Sequence, residues 1–137
     1  MESVKIGARY WPVELPSSYA LRLDVLVLSG ANSNRAACAA LGLCCPTLAK
    51  AIGVHLDAFR GDLARYGAAV LDGVMAAVEA ENSKRSAQGK EPIVVGVLDV
   101  LRAGAPLAAQ LCGGILTESE VAAEEVFSAV PPEELTS

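Results

Sequence analysis

DLARYGAAVLDGVMAAVEAE, residues Asp62 to Glu81, is the stretch that decides the fold class. Its apolar residues fall at Leu63, Tyr66, Val70, Val74 and Val78, with Leu71 and Met75 beside them. That is the i, i+3, i+4, i+7 recurrence of one helical face. Asp62, Arg65, Asp72 and Glu79 lie on the opposite face, with small alanines between them. A strand would need strict alternation, which the segment lacks. A helix of about twenty residues spans roughly 30 Å, enough to run the length of a small domain. The segment therefore reads as a central helix on which the other elements pack. The fold class is mainly α: a compact helical bundle with a short N-terminal β-hairpin.

The composition agrees with one domain, residues 1–130, followed by a tail, residues 131–137, expected to be disordered and open to partners. The chain is 53% hydrophobic but only 4% aromatic, so its core is one of Ala, Leu and Val in which helices approach closely. A net charge of -5 argues against nucleic acid and against an anionic membrane surface as partners. No apolar run reaches the roughly 18 residues that a span needs. Asp24, Asp72 and Gly113-Gly114 interrupt the longest candidates. MESVKIGARYW carries no basic stretch followed by an apolar one, so a cytoplasmic protein is expected.

Outward from the central helix, Val4–Ile6 and Arg9–Val13 alternate around Gly7-Ala8, as in a hairpin with a two-residue turn. The hairpin spans about residues 3–13, and Pro12 suits an edge strand. Ser17 or Ser18 caps a helix from Tyr19 to about Leu28, stopped by Ser29-Gly30. Asn32-Ser33-Asn34 caps the next, from Arg35 to about Leu43, whose AACAAL run calls for a close partner. Arg35 opposes the helix dipole there and is paired with a carboxylate such as Asp24, or solvated. Thr47 to Ile52 forms a short helix closed by Gly53, and His55 and Asp57 lie in the connection to the central helix. NSKRSAQGKE after Glu81 reads as a loop. Its Lys84, Arg85 and Lys90 are solvated or meet an acidic partner surface. Pro92 opens a helix with Ile93, Val94, Val97, Leu98 and Leu101 on its apolar face, preferred to a buried strand of the same β-branched run because that face continues to Leu101 and Gly104 follows as a stop. A short segment restarts at Pro106 and ends at Gly113-Gly114. Thr117 to Glu120 matches a capping box for a last helix that runs to about Val130 and buries Val121, Ala122, Val126 and Phe127.

Chemistry-bearing patterns are sparse. The chain contains no G-x-S-x-G, no H-E-x-x-H and no phosphate loop. Glu118, Glu120, Glu124 and Glu125 serve a helix dipole and solubility, and a compact Ala-rich bundle offers little cleft for acid–base work. His55 stands alone. Cys38, Cys44, Cys45 and Cys112 form no C-x-x-C pair and read first as buried reduced thiols. Neither an enzyme nor a metal or cofactor site is expected.

Four pieces together carry a family resemblance: VKIGARYWPVELPSSYALR, NSNRAACAALGL, RYGAAVLDGVMA and LRAGAPLAAQLCGGILTESEVAAEEVFS. In size, in the YG-x-x-V helix and in the Gly-punctuated C-terminal part, the chain resembles a small phage tail protein, most nearly a tail assembly chaperone. The resemblance implies a non-enzymatic role without cofactors. Such a protein binds the tape-measure protein in the host cytoplasm and keeps its long hydrophobic helices soluble until the tail tube forms around it. Under that reading Tyr10, Trp11, Tyr66 and Phe127 are the partner-binding candidates, and each is equally suited to an ordinary core. A homo-oligomer is compatible with it. Two alternatives stay open: a virion structural subunit of a tail connector or completion ring that pairs through the hairpin, and a small thiol- or metal-binding protein using Cys38, Cys44 and Cys45.

Overall fold

Three side chains set the helix starts. Ser18 Oγ accepts from the Leu21 N–H at 3.2 Å, Asn32 Oδ1 from Arg35 at 3.1 Å and Asp62 Oδ1 from Arg65 at 3.2 Å. Each satisfies a backbone donor that the first helical turn leaves open. The computed structural model describes the backbone of residues 2–127 and the side chains of residues 2–113. In it a hairpin of β1 (Ser3–Ile6) and β2 (Arg9–Pro12) precedes α1 (Tyr19–Ala31), α2 (Ser33–Cys44), α3 (Pro46–Ile52), α4 (Leu63–Ala87) and α5 (Val97–Phe127). A single 3-10 turn, Leu56–Phe59, leads from α3 to α4. The protein is a mainly helical bundle with an N-terminal hairpin, as the sequence implies.

The strands pair antiparallel from Ser3↔Pro12 to Ile6↔Arg9. Gly7 takes φ +64 while Ala8 keeps a negative φ, which is the demand of a two-residue turn with glycine first. One face of the hairpin buries Ile6 and Trp11 against the helices. Its exit is tied down where the Glu14 N–H donates to the Cys44 carbonyl at 2.7 Å.

The helix at the centre is α2 rather than α4. From Ala36 to Cys44 every residue of α2 except Leu43 is buried. It packs most extensively on α5, then on α4 and α1. Small residues make this possible. A Cβ on Gly67 of α4 would collide with the Arg35 carbonyl, and one on Gly104 of α5 would collide with the Ala37 carbonyl. Gly42 of α2 in turn lies under Tyr66 and Val70. Backbones therefore touch where side chains would normally intervene. Leu41, Val70, Val100, Leu107 and Leu111 fill the remaining space.

Several expected boundaries move, and each shift has a local cause. Helix α1 runs past Ser29-Gly30 to Ala31, because Asn32 ends it with its N–H on the Leu28 carbonyl and starts α2 with its side chain. Arg35 is exposed and has no ion pair with Asp24. Helix α4 continues through the expected loop to Ala87. Lys84 and Arg85 there favour the negative end of the helix dipole, and Gly89 at φ +69 turns the chain. Pro92 opens no helix. Asn82 accepts from the Ile93 N–H at 2.6 Å and donates to the Ile93 carbonyl at 3.0 Å, as a neighbouring strand would, and holds this β-branched run extended. Helix α5 starts only at Val97, where Asp99 Oδ2 accepts from the Gly96 N–H at 2.8 Å.

Neither Gly104 nor Gly113-Gly114 stops α5, and no helix starts at Thr117, because α5 is continuous from Val97 to Phe127. Gly104 is a contact residue, not a terminator. Pro106 sits inside the same helix and leaves the Arg102 carbonyl without its usual donor. The expected end at Val130 and the tail 131–137 lie outside the described residues, and so does the Phe127 side chain.

Replacing Gly104 by Ala should therefore destabilise the fold, although alanine is the better helix former by about 1 kcal/mol. Overpacking against backbone costs roughly 1–3 kcal/mol or more. Gly30→Ala, where a Cβ meets nothing within 4 Å, is the control and should be neutral or stabilising. Urea denaturation of both variants reads the difference, and equal behaviour would refute the close approach.

Candidate functional site

The four aromatic candidates do not form one surface. Trp11 is 7% exposed and lies in the core under the Arg9 guanidinium, 4.0 Å from the ring centroid. Tyr66 is 2% exposed and meets Phe59 edge to face at 5.9 Å. Both are core anchors, the alternative the sequence left open. Tyr10 is exposed on the outer face of the hairpin, with Lys5 Nζ 5.6 Å from its ring. The side chain of Phe127 is outside the described residues.

The thiols are structural in their surroundings. Cys38, Cys44 and Cys45 are buried and Cys112 half-buried, and all four are free. Burial pushes the Cys44 thiol from 9.0 up to about 12, with neighbouring Cys45 adding to the rise and Arg22 opposing it. Burial likewise raises Cys45 to about 11 and Tyr66 to about 12. A thiol kept protonated is a poor nucleophile and a poor metal ligand. Cys112 instead sits 3.7 Å from Ser29 Oγ, which joins α5 to α1. His55 is exposed. Among the described residues no three His, Cys, Asp or Glu side chains are placed to share a metal ion.

What the sequence reasoning missed is an apolar stripe on α1. Tyr19, Leu23 and Val27 recur at i, i+4 and i+8, so they share one face. They are 51%, 40% and 67% exposed. Ala20, Gly30 and Ala31 are also open to solvent, and Asp24 is the one charged residue among these exposed positions. The signal was present. YALRLDVLVLSGA is apolar on nearly every side, which a surface helix with one core face does not need. Only Val25 is fully buried. A second exposed apolar group, Val94 and Leu98, marks the start of α5.

The hairpin packs on the helices through Ile6 and Trp11 but is flanked by a groove on each side, so the bundle has more relief than its composition suggested. One groove of about 820 Å³ runs between β1 and α5, lined by Lys5, Val94, Asp99, Arg102 and Gln110 among others. Another of about 500 Å³ lies between the hairpin and the pair α3–α4, floored by Trp11, Leu48, Val74, Val78, Ile93 and Val95. Among the described residues no single helix is long and apolar enough to cross a membrane. The pair α2–α3 satisfies the length and composition only with a bend of 100° between its halves.

No family model, curated protein or solved structure matches this chain.

The raised thiol and phenol groups fix a pH dependence. Their folded values lie above their unfolded ones, so the stability they contribute is complete below about pH 9 and is lost as pH climbs towards 12. The urea midpoint should hold steady from neutral to about pH 9 and then fall. Cys44→Ala should make that fall shallower. In the native protein near pH 8, a thiol reagent should label Cys112 alone at a measurable rate, the other three reacting only on unfolding.

Proposed function

We propose that this protein is a non-enzymatic binding protein that holds an amphipathic helix of a partner on the outer face of α1, and that it serves as a phage tail assembly chaperone for the tape-measure protein. The observation that supports the reading is the Tyr19, Leu23 and Val27 stripe, an apolar helical face left exposed among the described residues. Helix-on-helix recognition uses such a row of apolar anchors at helical spacing. The chain around it is well suited to the task. The core is closed by backbone contacts, so the stripe can be covered and released without repacking the interior. The net charge of -5 would keep a complex with a long apolar helix dispersed. The phage tail assignment itself rests on the resemblance of the four sequence pieces.

Leu23→Asp and Val27→Asp test the reading, because both side chains face solvent and their loss should leave the melting temperature within a few degrees of wild type. Tagged protein purified from its native cell should bring down a very long helical protein, identified by mass spectrometry. Either variant should lose that protein at least about tenfold, the effect of some 1.4 kcal/mol. Recovery of head and tail structural subunits instead would favour a ring component, and capture unaffected by both variants would remove α1 as the binding face.

A further inference from the structure

The charges of this chain are divided along its length. Residues 114–137 contain Glu118, Glu120, Glu124, Glu125, Glu133 and Glu134 and no Lys or Arg, so all 11 basic residues lie before them. Within that acidic stretch, VPPEEL at Val130–Leu135 sets two carboxylates between apolar side chains. Its two prolines favour an extended backbone, which limits what must be ordered on binding.

The groove between the hairpin and α3–α4 has the complementary chemistry. Its floor is apolar, built from Trp11, Leu48, Val74, Val78, Ile93 and Val95. Its rim carries Arg9, Arg85 and Glu81. Arg9 lies over Trp11 and has no ion pair among the described residues. Arg85 is only partly satisfied. One of its terminal nitrogens donates to the Glu91 carbonyl at 3.3 Å. Its Nε, shielded from water, makes no hydrogen bond and sits 3.6 Å from Glu81 Oε1. A carboxylate arriving at this rim meets one unpaired guanidinium and one poorly paired one, against the single carboxylate of Glu81.

We infer that this groove is a docking site for the Val130–Leu135 segment of a second copy of the chain. The segment of the same copy is too far away. The groove wall at Ile93 and Val95 lies just before α5 begins, whereas the segment follows its end. A helix of 31 residues spans about 46 Å. Even a right-angle bend at Pro106 would leave about 35 Å between its ends. Six further residues reach at most about 20 Å to Glu133, however extended they are. Docking therefore joins the tail of one copy to the groove of the next. Such a head-to-tail contact uses two different surfaces and builds rings where the rotation closes, or filaments where it does not. This assembly uses a face other than the α1 stripe and does not depend on what α1 binds.

Sedimentation equilibrium of the full chain and its charge variants tests the inference. Wild type should associate beyond a dimer as concentration rises towards about 100 µM, and less so at high salt. Arg9→Glu with Arg85→Glu should be monomeric, as should Glu133→Arg with Glu134→Arg, each retaining wild-type circular dichroism. Mixed in equal amounts, the two monomeric variants should associate again, because each tail then meets a groove of opposite charge. If Arg85→Glu disturbs the fold, Arg9→Glu mixed with Glu133→Arg makes the same test with one pair. A synthetic Ser128–Ser137 peptide added in excess should dissociate the wild-type assembly. A monomeric wild type, an assembly indifferent to both reversals, or no association on mixing would overturn the inference. So would binding of the peptide to a wild-type chain that stays monomeric, which would assign the groove to a foreign acidic peptide.

Discussion

At Gly67 and Gly104 the backbones of α4 and α5 come into direct contact with the backbone of α2, and the remaining structure is arranged around those two contacts. A side chain at either position would occupy the place of a carbonyl oxygen. The requirement extends to α2 itself, where the Ala36 to Leu41 run and Gly42 keep its surface thin enough to be approached from several directions. A core with few aromatics follows from this geometry. Volume that Phe or Trp would fill in a looser bundle is removed by bringing the helices together, and close-packed contacts of this kind gain dispersion energy over their whole length. Among the described residues only Trp11 and Tyr66 are fully buried rings, one from the hairpin and one beside Gly42, with Phe59 packed partly buried against that core.

That arrangement also explains why the protein has spare apolar surface. With α2 enclosed mainly by α4, α5 and α1, the outer side of α1 is left exposed among the described residues. The same helix that closes the core with Val25 thus presents Tyr19, Leu23 and Val27 outward. The hairpin adds relief instead of cover. It is anchored at Ile6, Trp11 and Glu14, and its edges define the grooves beside α5 and beside α3–α4. The exposed apolar surface and the closed core are therefore separable, since Tyr19, Leu23 and Val27 lie outside the contacts that hold α2 in place.

Much of this was legible in the sequence where the signal was local. The 62–81 periodicity, the caps at Ser18 and Asn32, the Gly7 turn and the αL glycine after α3 are each set by a few neighbouring residues. The errors share another cause. Gly104 and Gly113 read as helix ends because glycine ends helices when nothing else is near, yet at Gly104 the neighbour is α2, distant in sequence. Asn82 read as part of a loop because its partner, Ile93, lies beyond the turn. The open face of α1 is not legible in the sequence, because a helix apolar on nearly every side gives no sign of which face the surrounding elements leave uncovered. Size singles out Tyr10, Trp11 and Tyr66 alike, whereas exposure depends on which way each element faces: Tyr10 is open to solvent and the other two are buried.

The central claim is that a closed core supports an open, partner-binding α1 face. Hydrogen–deuterium exchange of the free protein and of its complex with a tape-measure helix tests it most directly. The account requires slow exchange in α2 in both states, and added protection on binding concentrated in residues 19–31. Protection that appears only in the hairpin or α4, or exchange in α2 as fast as in the loops, would contradict it.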